Sequence, residues 1–499
     1  MVDRDSLEPG TKVLTARWVF SWKVGPNGEI QAKARYCGRG FMQDYGVDYL
    51  DTYAPMSRMT SIRCLMQLTA QYNFIGHQID VTSAYLNAKI DHEIYMEQPD
   101  SPDKDPSKVW RLKKSIYGLK QSARLWNVTL HTFLEKLGYK RNSADMCLYR
   151  RCDERGIIFL LIWVDDIVIL SDKRELVDEF VKQMSDEYKI KDLGPLKFFL
   201  GIEFEQSENS VKMSQSGYCK TVLERFGMDN CNTSKTPCVP NIHDELRANL
   251  KSPKLDKKET TRYRELVGSL IYLEQITRPD ISFIVNILGQ QMHQPTKAHW
   301  NIGLKVLRYL KGTQDYSLNY HRSDRLELTV FGDADWANGV DRKSQSGYCA
   351  FLSDNSSPIS WSSRKQKLVS TSTTNAEYVA LAGATCEALW LQKLLWDFQI
   401  EEIVDFPARM LSDNTGALAL AYTPQHSDRS KHIDVKFHFV RDYVEHGVVT
   451  LEHVRSNQNL ADGFTKSLNT TLFGNFGTLM SRKINNKHII RTTSHIPFE

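Results

Sequence analysis

Apolar and polar residues follow several distinct patterns along the chain, and the changes between them divide the sequence. In residues 11–205, strand-like runs such as WVFSWKV and IIFLLIWV alternate with helix-like runs such as SIRCLMQLTAQY, which predicts an α+β domain. Residues 231–262 are polar and contain three prolines, so we predict a mobile connection there. The leucine spacing in residues 263–311 predicts a helical connector.

The pattern changes again after residue 312. RLELTVF, GYCAFL and ISW predict three consecutive strands. A long helix from about 374 to 398, a strand that ends at 411, two shorter helices and the strand VVTLEHV then complete a β-β-β-α-β-α-like order. Residues 471–499 are polar and basic without periodicity, which predicts a poorly ordered tail.

Composition narrows the class of protein without indicating a partner. The 499 residues are 41% hydrophobic and 25% charged, which is typical of a globular protein of two to four domains. The 64 Lys+Arg and 60 Asp+Glu give a net charge of +4, too small to predict nucleic-acid binding. The nine cysteines form no CxxC pair, and no signal peptide or membrane-length apolar run is present. We therefore expect a reduced, intracellular protein.

Two adjacent carboxylates interrupt the most apolar stretch, LLIWVDDIVILSD. Neighbouring side chains of a continuous strand point to opposite faces, so Asp165 and Asp166 can serve one site only at the tip of a hairpin. Divalent cations would make their charge tolerable there. Asp80, in HQIDVTSAYLNA, is the best candidate for a third oxygen ligand. Such a set predicts two-metal phosphoryl transfer, in which one ion activates a 3′-hydroxyl and the other holds a triphosphate.

Four further acids are spaced through the C-terminal module. Each has a simple structural explanation, because Glu377 fits a capping box, Asp413 can cap a helix and a GDAD turn needs no chemistry. Jointly, however, two strand-end aspartates, a helix-start glutamate and a final aspartate are the layout of an RNase H fold, whose acids bind two Mg²⁺ ions. The set comprises Asp333, Glu377, Asp413 and Asp462, and Asp335 is left outside it.

A series of motifs resembles the reverse transcriptase and RNase H region of Ty1/copia-type LTR retrotransposons. In chain order they are IDVTSAYLNA, SIYGLKQSARLW, WVDDIVI, LGIEF, TRPDIS, RYLKGT, GDADWANGVDRKSQSGY, KHIDVKFHFVR and NLADGFTK. The resemblance implies an α+β right-hand polymerase module of fingers, palm and thumb, followed by an α/β RNase H-like domain. The implied domains are fingers and palm at 1–230, a mobile segment and helical thumb or connection at 231–322, RNase H-like at 323–470 and the tail at 471–499.

The resemblance also implies roles for residues around the first acid set. Lys33 and Arg35 would reach the incoming triphosphate, Tyr85 would form the gate that rejects a 2′-hydroxyl, and Gln121 would contact the nucleotide. Taken as bare residues, Lys33 and Arg35 are equally consistent with solvated strand charges, and Tyr85 with a core aromatic. Each acid set would hold two Mg²⁺ ions, the first on Asp80 and the 165/166 pair.

These features together predict an RNA- and DNA-directed DNA polymerase with ribonuclease H activity. Its partners would be an RNA template, a DNA or tRNA primer, dNTPs and RNA:DNA hybrids, with no membrane partner and an undetermined oligomeric state. A domesticated or decayed fragment that binds nucleic acid without turnover is the alternative, and the seven intact acids favour catalysis. One departure is the loop RSNQN, which lacks the histidine that many RNase H enzymes carry before the last aspartate.

No protease or integrase motif is present, so we expect the chain to be the C-terminal part of a longer Pol polyprotein. DNA integration would then be a property of the whole element. The expected location is the cytoplasm, within a virus-like particle, or the nucleus.

Overall fold

A computed structural model describes residues 1–24, 30–399, 404–422 and 434–481. The described chain separates into two compact units, of which the first contains Met1–Ile62, Tyr72–Leu196 and Trp396–Phe398. The second contains Arg63–Gln71, Lys197–Leu395 and the described residues from Gln399 onward. Residues 197–230, assigned above to the palm, therefore lie in the second unit, and the roles of the predicted domains stay a prediction.

The described strands of the first unit are β1 (Val2–Asp3), β2 (Val13–Leu14), β3 (Ala16–Val24), β4 (Ile30–Gly38), β5 (Ile75–Val81), β6 (Tyr95–Met96), β7 (Lys108–Arg111), β8 (Lys140–Arg141), β9 (Leu148–Asp153), β10 (Gly156–Trp163), β11 (Asp166–Ser171) and β12 (Ile190–Pro195). Six of them form the largest sheet of this unit, in the order β12-β5-β11-β10-β9-β8. The described helices from this part of the chain are α1 (Met59–Tyr72), which continues into the second unit, α2 (Ser122–Lys136) and α3 (Arg174–Glu187).

Burial on both faces explains why β10 is apolar without alternation. On one face, Ile158 and Leu160 belong to a core that also contains Phe180 of α3. On the other face, the ring of Phe159 lies 5.0 Å from the ring of Phe398. A strand covered on both sides is expected to read as a continuous apolar run, and this rigid centre supports the hairpin tip that follows it.

The second unit contains two sheets. Its described strands are β13 (Phe198–Phe199), β14 (Ile202–Ser207), β15 (Ser210–Ser214), β16 (Ser317–His321), β17 (Leu326–Asp335), β18 (Gln345–Phe351), β19 (Ser360–Lys365), β20 (Val404–Ser412) and β21 (Val449–His453). Its described helices are α4 (Ser216–Arg225), α5 (Ile242–Ala248), α6 (Lys257–Ile276), α7 (Ser282–Gly289), α8 (Lys297–Gly312), α9 (Thr373–Asp397), α10 (Thr415–Tyr422), α11 (Asp434–Glu445) and α12 (Thr470–Ser481).

The larger of these sheets has the order β19-β18-β17-β20-β21. β17, β18 and β19 are antiparallel neighbours, whereas β20 and β21 join in parallel. Helix α9 packs on β17 at Gly332, where an added Cβ would lie 3.7 Å from the Cβ of Ala384. The arrangement confirms the predicted α/β RNase H-like order and brings the start of α9 to the end of β17.

Two segments that the sequence predicted to be mobile or poorly ordered contain helices, and their mobility stays a prediction. The expected mobile segment 231–262 contains α5, in which Ile242 is buried, and the start of α6. The expected poorly ordered tail begins with α12, in which the Phe473 ring lies 5.5 Å from Tyr309 and the Phe476 ring 5.3 Å from Phe464. Residues 482–499 of that tail lie outside the described residues. None of the described helices combines the length and apolar character needed to cross a bilayer.

Candidate active sites

The first unit contains the hairpin predicted for the two adjacent acids. β10 and β11 pair up to Trp163 and Asp166, which leaves Val164 and Asp165 as the loop. Asp166 is the cross-strand partner of Asp80 on β5, so these two side chains share one face of the sheet. The backbone oxygen of Asp165 accepts a hydrogen bond of 2.7 Å from the Val81 amide. The pairing therefore places the three acids at one end of the sheet, where β5 and β10 end and β11 begins. Their carboxylate oxygens do not form a group within 4.8 Å of one another, unlike three acids of the second unit.

The hairpin loop has a strained and well-supported backbone. Val164 has a φ of +59°, a left-handed conformation that is unusual for a β-branched residue and is typical of functional sites. The indole Nε1–H of Trp126, on α2, donates a hydrogen bond of 2.7 Å to the Val164 carbonyl. Helix α2 thus fixes the loop that carries Asp165.

Two positive residues of β4, Lys33 and Arg35, interact electrostatically with Asp165, and their contact with a triphosphate stays a prediction. Burial raises the pKa of Asp165, and the negative charge of Asp80 raises it further, whereas Lys33 and Arg35 act in the opposite direction. Three acids against two basic side chains leave a site that favours an additional cation. Carboxylate oxygens are the ligands that Mg²⁺ prefers, so the residues present fit that ion.

Two aromatic rings in tilted contact lie beside the acids. The half-buried Tyr85 ring is 4.8 Å from the Tyr117 ring, and the Arg35 guanidinium carbon lies 5.5 Å from the Tyr117 ring centre. Burial, and then the charge of Asp165, raises the pKa of both phenols. Tyr85 is therefore held in a fixed position next to the acids by a neighbour that sequence reasoning did not select.

Protein groups bind the side chain of Gln121, which the resemblance predicted to contact the nucleotide. Its side chain is fully buried. Its Nε2 donates to the Asp48 carbonyl at 2.8 Å, and its Oε1 accepts from Gln43 Nε2 at 2.9 Å. Since both ends of the amide bind protein groups, the structure shows Gln121 as a support at the start of α2, and contact with a nucleotide stays a prediction.

The four acids of the second unit come from four different elements. Phe331 of β17 pairs with Leu411 of the parallel β20, so Asp333 and Asp413, each two residues further on, lie at the same edge. Glu377 lies in the second turn of α9. One oxygen each of Asp333, Glu377 and Asp413 lies within 4.8 Å of the others. Asp462 lies in the short 3-10 helix Leu460–Phe464, where the charges of Asp333 and Asp413 act on it.

The simple capping explanations for two of these acids do not hold. At the start of α9, Ser372 Oγ accepts a hydrogen bond of 3.1 Å from the Asn375 amide. At the start of α10, Asn414 Oδ1 accepts one of 2.9 Å from the Ala417 amide. The caps are therefore neighbouring residues, and the carboxylates of Glu377 and Asp413 point into the acid group instead.

Burial and mutual repulsion make the second acid set a strong candidate for binding a cation. Burial, followed by the charges of Asp333 and Asp413, raises the pKa of Glu377 to about 9. Burial and the charge of Asp333 raise the pKa of Asp462 to about 7. Among the described residues, Glu377 Oε2 is buried without a hydrogen-bond partner. An unpaired buried oxygen among clustered carboxylates fits a divalent cation, which would stabilise the ionised forms.

Several polar partners of these acids were missed by sequence reasoning. Lys466 Nζ lies 2.8 Å from Asp462 Oδ1 and 3.9 Å from Asp333 Oδ2. The buried Thr465 hydroxyl donates to Asp333 Oδ2, and Asn459 Nδ2 donates to Asp413 Oδ1 at 3.2 Å. All three belong to the motif NLADGFTK, where the i, i+4 spacing from Asp462 to Lys466 was an available signal. Asp335 instead accepts hydrogen bonds of 2.5 Å from Asn338 Nδ2.

Comparisons with known proteins found a matching family model, several relatives and a solved structure. A family model described as reverse transcriptase (RNA-dependent DNA polymerase) matches residues 5–240. The Retrovirus-related Pol polyprotein from transposon RE2 of Arabidopsis thaliana is 37% identical over 480 residues, which cover 95% of this chain and 32% of that protein. A transposon Ty5-1 protein of Saccharomyces cerevisiae is 32% identical, over 62% of this chain and 100% of its own length. The crystal structure of Prototype Foamy Virus Protease-Reverse Transcriptase covers 95% of this chain and 76% of that chain at 10% identity, with a TM-score of 0.20.

The fold and the two acid sets define a polymerase-like module joined to an RNase H-like domain. The chain belongs to the reverse transcriptase family, among the Pol polyproteins of copia-type transposons. It spans about a third of the length of the first Pol polyproteins that it matches.

Proposed function

We propose that this chain is an RNA- and DNA-directed DNA polymerase that also cleaves the RNA strand of RNA:DNA hybrids, with two Mg²⁺ ions at each site. The observation that supports it most is the register of β5 against β11, which brings Asp80 to the Asp165–Asp166 hairpin tip. Its substrates would be dNTPs, a primer with a free 3′-hydroxyl and an RNA or DNA template.

In the polymerase reaction, Asp80, Asp165 and Asp166 would hold the ions, which supply activation of the 3′-hydroxyl and neutralisation of phosphate charge. Lys33 and Arg35 would bind the triphosphate from β4, the Arg through a forked pair of donors. Tyr85 would pack against the sugar of the incoming nucleotide. The hydrogen bond between Trp126 and Val164 keeps the loop in position while substrate binds.

In the nuclease reaction, Asp333, Glu377, Asp413 and Asp462 would hold the ions that activate a water against an RNA phosphodiester. Thr465 and Asn459 orient Asp333 and Asp413 through the hydrogen bonds described above. Because burial raises the pKa of Glu377 to about 9, its carboxyl holds a proton near neutral pH until a cation binds.

A primer-extension assay on poly(rA)/oligo(dT) with Mg²⁺ tests the polymerase half of the proposal. The parent should extend the primer and Asp165→Asn should not. Asp178→Asn, the same change at an exposed position of α3, should extend like the parent. Hybrid binding by the parent without extension would instead favour a decayed protein that retains only binding.

Cleavage of a labelled RNA:DNA hybrid tests the nuclease half separately. Asp413→Asn should abolish cleavage while primer extension persists, and the exposed Asp354→Asn should retain both activities. If Asp413→Asn removed both activities and Asp354→Asn neither, the assignment of the two acid sets to separate reactions would be wrong.

A further inference from the structure

One lysine ammonium lies inside the acid set of the second unit. Lys466 Nζ is 2.8 Å from Asp462 Oδ1 and 3.9 Å from Asp333 Oδ2. The spacing of four residues would allow an ordinary surface ion pair with Asp462 alone. The second contact is different, because the Asp333 side chain is only 2% exposed. Lys466 therefore contacts the buried Asp333 in addition to Asp462.

The ammonium divides the acids into two parts. One oxygen each of Asp333, Glu377 and Asp413 lies within 4.8 Å of the others. In the described part of the chain, Glu377 Oε2 and Asp462 Oδ1 both lack a hydrogen-bond partner, but Asp462 Oδ1 has the ion pair with Lys466. Asp333 and Asp462 form a second pair, and Lys466 bridges that pair. One part of the acid set thus remains open to a cation, while the other already holds a positive charge.

We propose that Lys466 is a resident cation that competes with a second divalent ion for the space between Asp333 and Asp462. The inference rests on the proposed function, namely that these acids hold divalent cations. A charge of +1 in contact with both carboxylates repels an incoming charge of +2 and occupies an oxygen that the ion needs. Lys466 would therefore make the two ions bind with unequal affinity and set the ion concentration at which the site fills.

The Lys466 side chain can leave this position without disrupting a packed core. It is 41% exposed, and a lysine carries its charge on a flexible four-carbon stem. The displaced ammonium could turn to a phosphate of a bound hybrid, which would let substrate favour entry of the second ion. The resident lysine would in this way couple occupancy of the site by metal to the presence of nucleic acid.

Counting bound Mn²⁺ by electron paramagnetic resonance tests the proposal on the full chain. Asp80→Asn and Asp165→Asn in every sample remove the ions of the other site. On this background, Lys466→Gln should bind the second Mn²⁺ on the order of tenfold more tightly than the parent. Lys466→Arg, which keeps the charge, should bind like the parent. The same holds for Lys367→Gln, at an exposed lysine that has no ion pair with these acids within the described residues.

A second measurement covers the case in which neutralising Lys466 impairs folding in the absence of metal. Addition of Mn²⁺ should raise the thermal midpoint of Lys466→Gln, or of the stem-preserving Lys466→Met, by more than that of the parent. An unchanged or weaker second site in both neutral variants would overturn the inference. Asp413→Asn distinguishes failure of this inference from failure of the proposed function. If Asp413→Asn removed none of the Mn²⁺ that the parent binds, the acids would not hold the ions, and the proposed function itself would be contradicted.

Discussion

At the scale of single residues, the size of Tyr85 should decide which sugar the polymerase site accepts. Its ring is held 4.8 Å from Tyr117, so it cannot easily move aside for a 2′-hydroxyl. We expect Tyr85→Ala to raise the incorporation of ribonucleotides relative to deoxyribonucleotides by on the order of tenfold or more. Tyr85→Phe, which keeps the ring, should retain the parent's ratio. Single-nucleotide extension with a matched dNTP and rNTP measures this ratio. An unchanged ratio in Tyr85→Ala would exclude Tyr85 as the residue that rejects a 2′-hydroxyl.

Glu377 gives a residue-level prediction for stability against pH. Its folded-state pKa of about 9 lies above its ordinary value of 4.5, so the folded state binds more protons than the unfolded state between these values. The free energy of unfolding of the second unit, measured without metal, should therefore fall as pH rises through this window. Asp462, with a pKa of about 7, contributes with the same sign.

Thermal unfolding in a metal chelator, from about pH 6 to about pH 9, measures this effect. Glu377→Gln, which cannot ionise, should flatten the dependence, and Mg²⁺ should oppose it by favouring the ionised carboxylates. The exposed Asp354→Asn serves as the control. A midpoint that rises with pH in the parent but not in Glu377→Gln would contradict the assigned direction.

The positions of the acids could be predicted because each follows a strongly apolar run or opens a helix. Their polar partners could not, because contacts such as that between Lys466 and Asp333 depend on tertiary structure. Gln121 is a further example, because nothing local in GLKQSAR indicates that its side-chain amide is hydrogen-bonded to Gln43 and Asp48.

At the scale of elements, the close approach of β18 to the helix that carries Asp462 explains a glycine. Gly347 is the cross-strand partner of Asp333. A Cβ there would lie 2.7 Å from Phe464 Cβ and 2.8 Å from Thr465 Cγ2. Gly347→Ala should therefore displace the Leu460–Phe464 helix, destabilise the second unit by roughly 1–3 kcal/mol and lower hybrid cleavage more than primer extension.

Gly383→Ala, on α9, is the matched control for that substitution. A Cβ at Gly383 would meet no atom within 4 Å, and alanine in a helix is favoured over glycine by roughly 0.5–1 kcal/mol. Chemical denaturation and the two activity assays, applied to Gly347→Ala and Gly383→Ala, measure the two effects. Equal stability of the two variants would show that the segment 460–465 adjusts freely to β18.

Elements with strong local patterns were predicted well, whereas short ones stabilised by tertiary contacts were not. The β10–β11 hairpin and α9 follow from their apolar sequences alone. Helix α12 was missed because its stability depends on tertiary contacts, namely those of Phe473 with the distant Tyr309 and of Phe476 with Phe464.

At the scale of the whole molecule, the order of motifs predicted two modules. The compact units divide the chain at a different residue from the predicted end of the palm, and the domain roles stay a prediction. Residues 197–230 belong to the second compact unit, because β14 and β15 pair onward to β16 rather than to the six-stranded sheet. Pairing between strands more than 100 residues apart leaves no local signal in the sequence.

Each unit nevertheless contains one complete acid set, since Asp80 and the hairpin lie in the first unit and the four acids of the proposed nuclease site in the second. The two reactions should therefore not need both intact sites in one molecule. We expect an equal mixture of Asp165→Asn and Asp413→Asn proteins to copy an RNA template and then degrade it, although each variant alone performs only one step. Following template and product with two labels on one substrate measures this. If the mixture left the RNA strand of its own product intact while Asp165→Asn still cleaved a preformed hybrid, transfer between molecules would fail, and cleavage would depend on the chain that performed the synthesis.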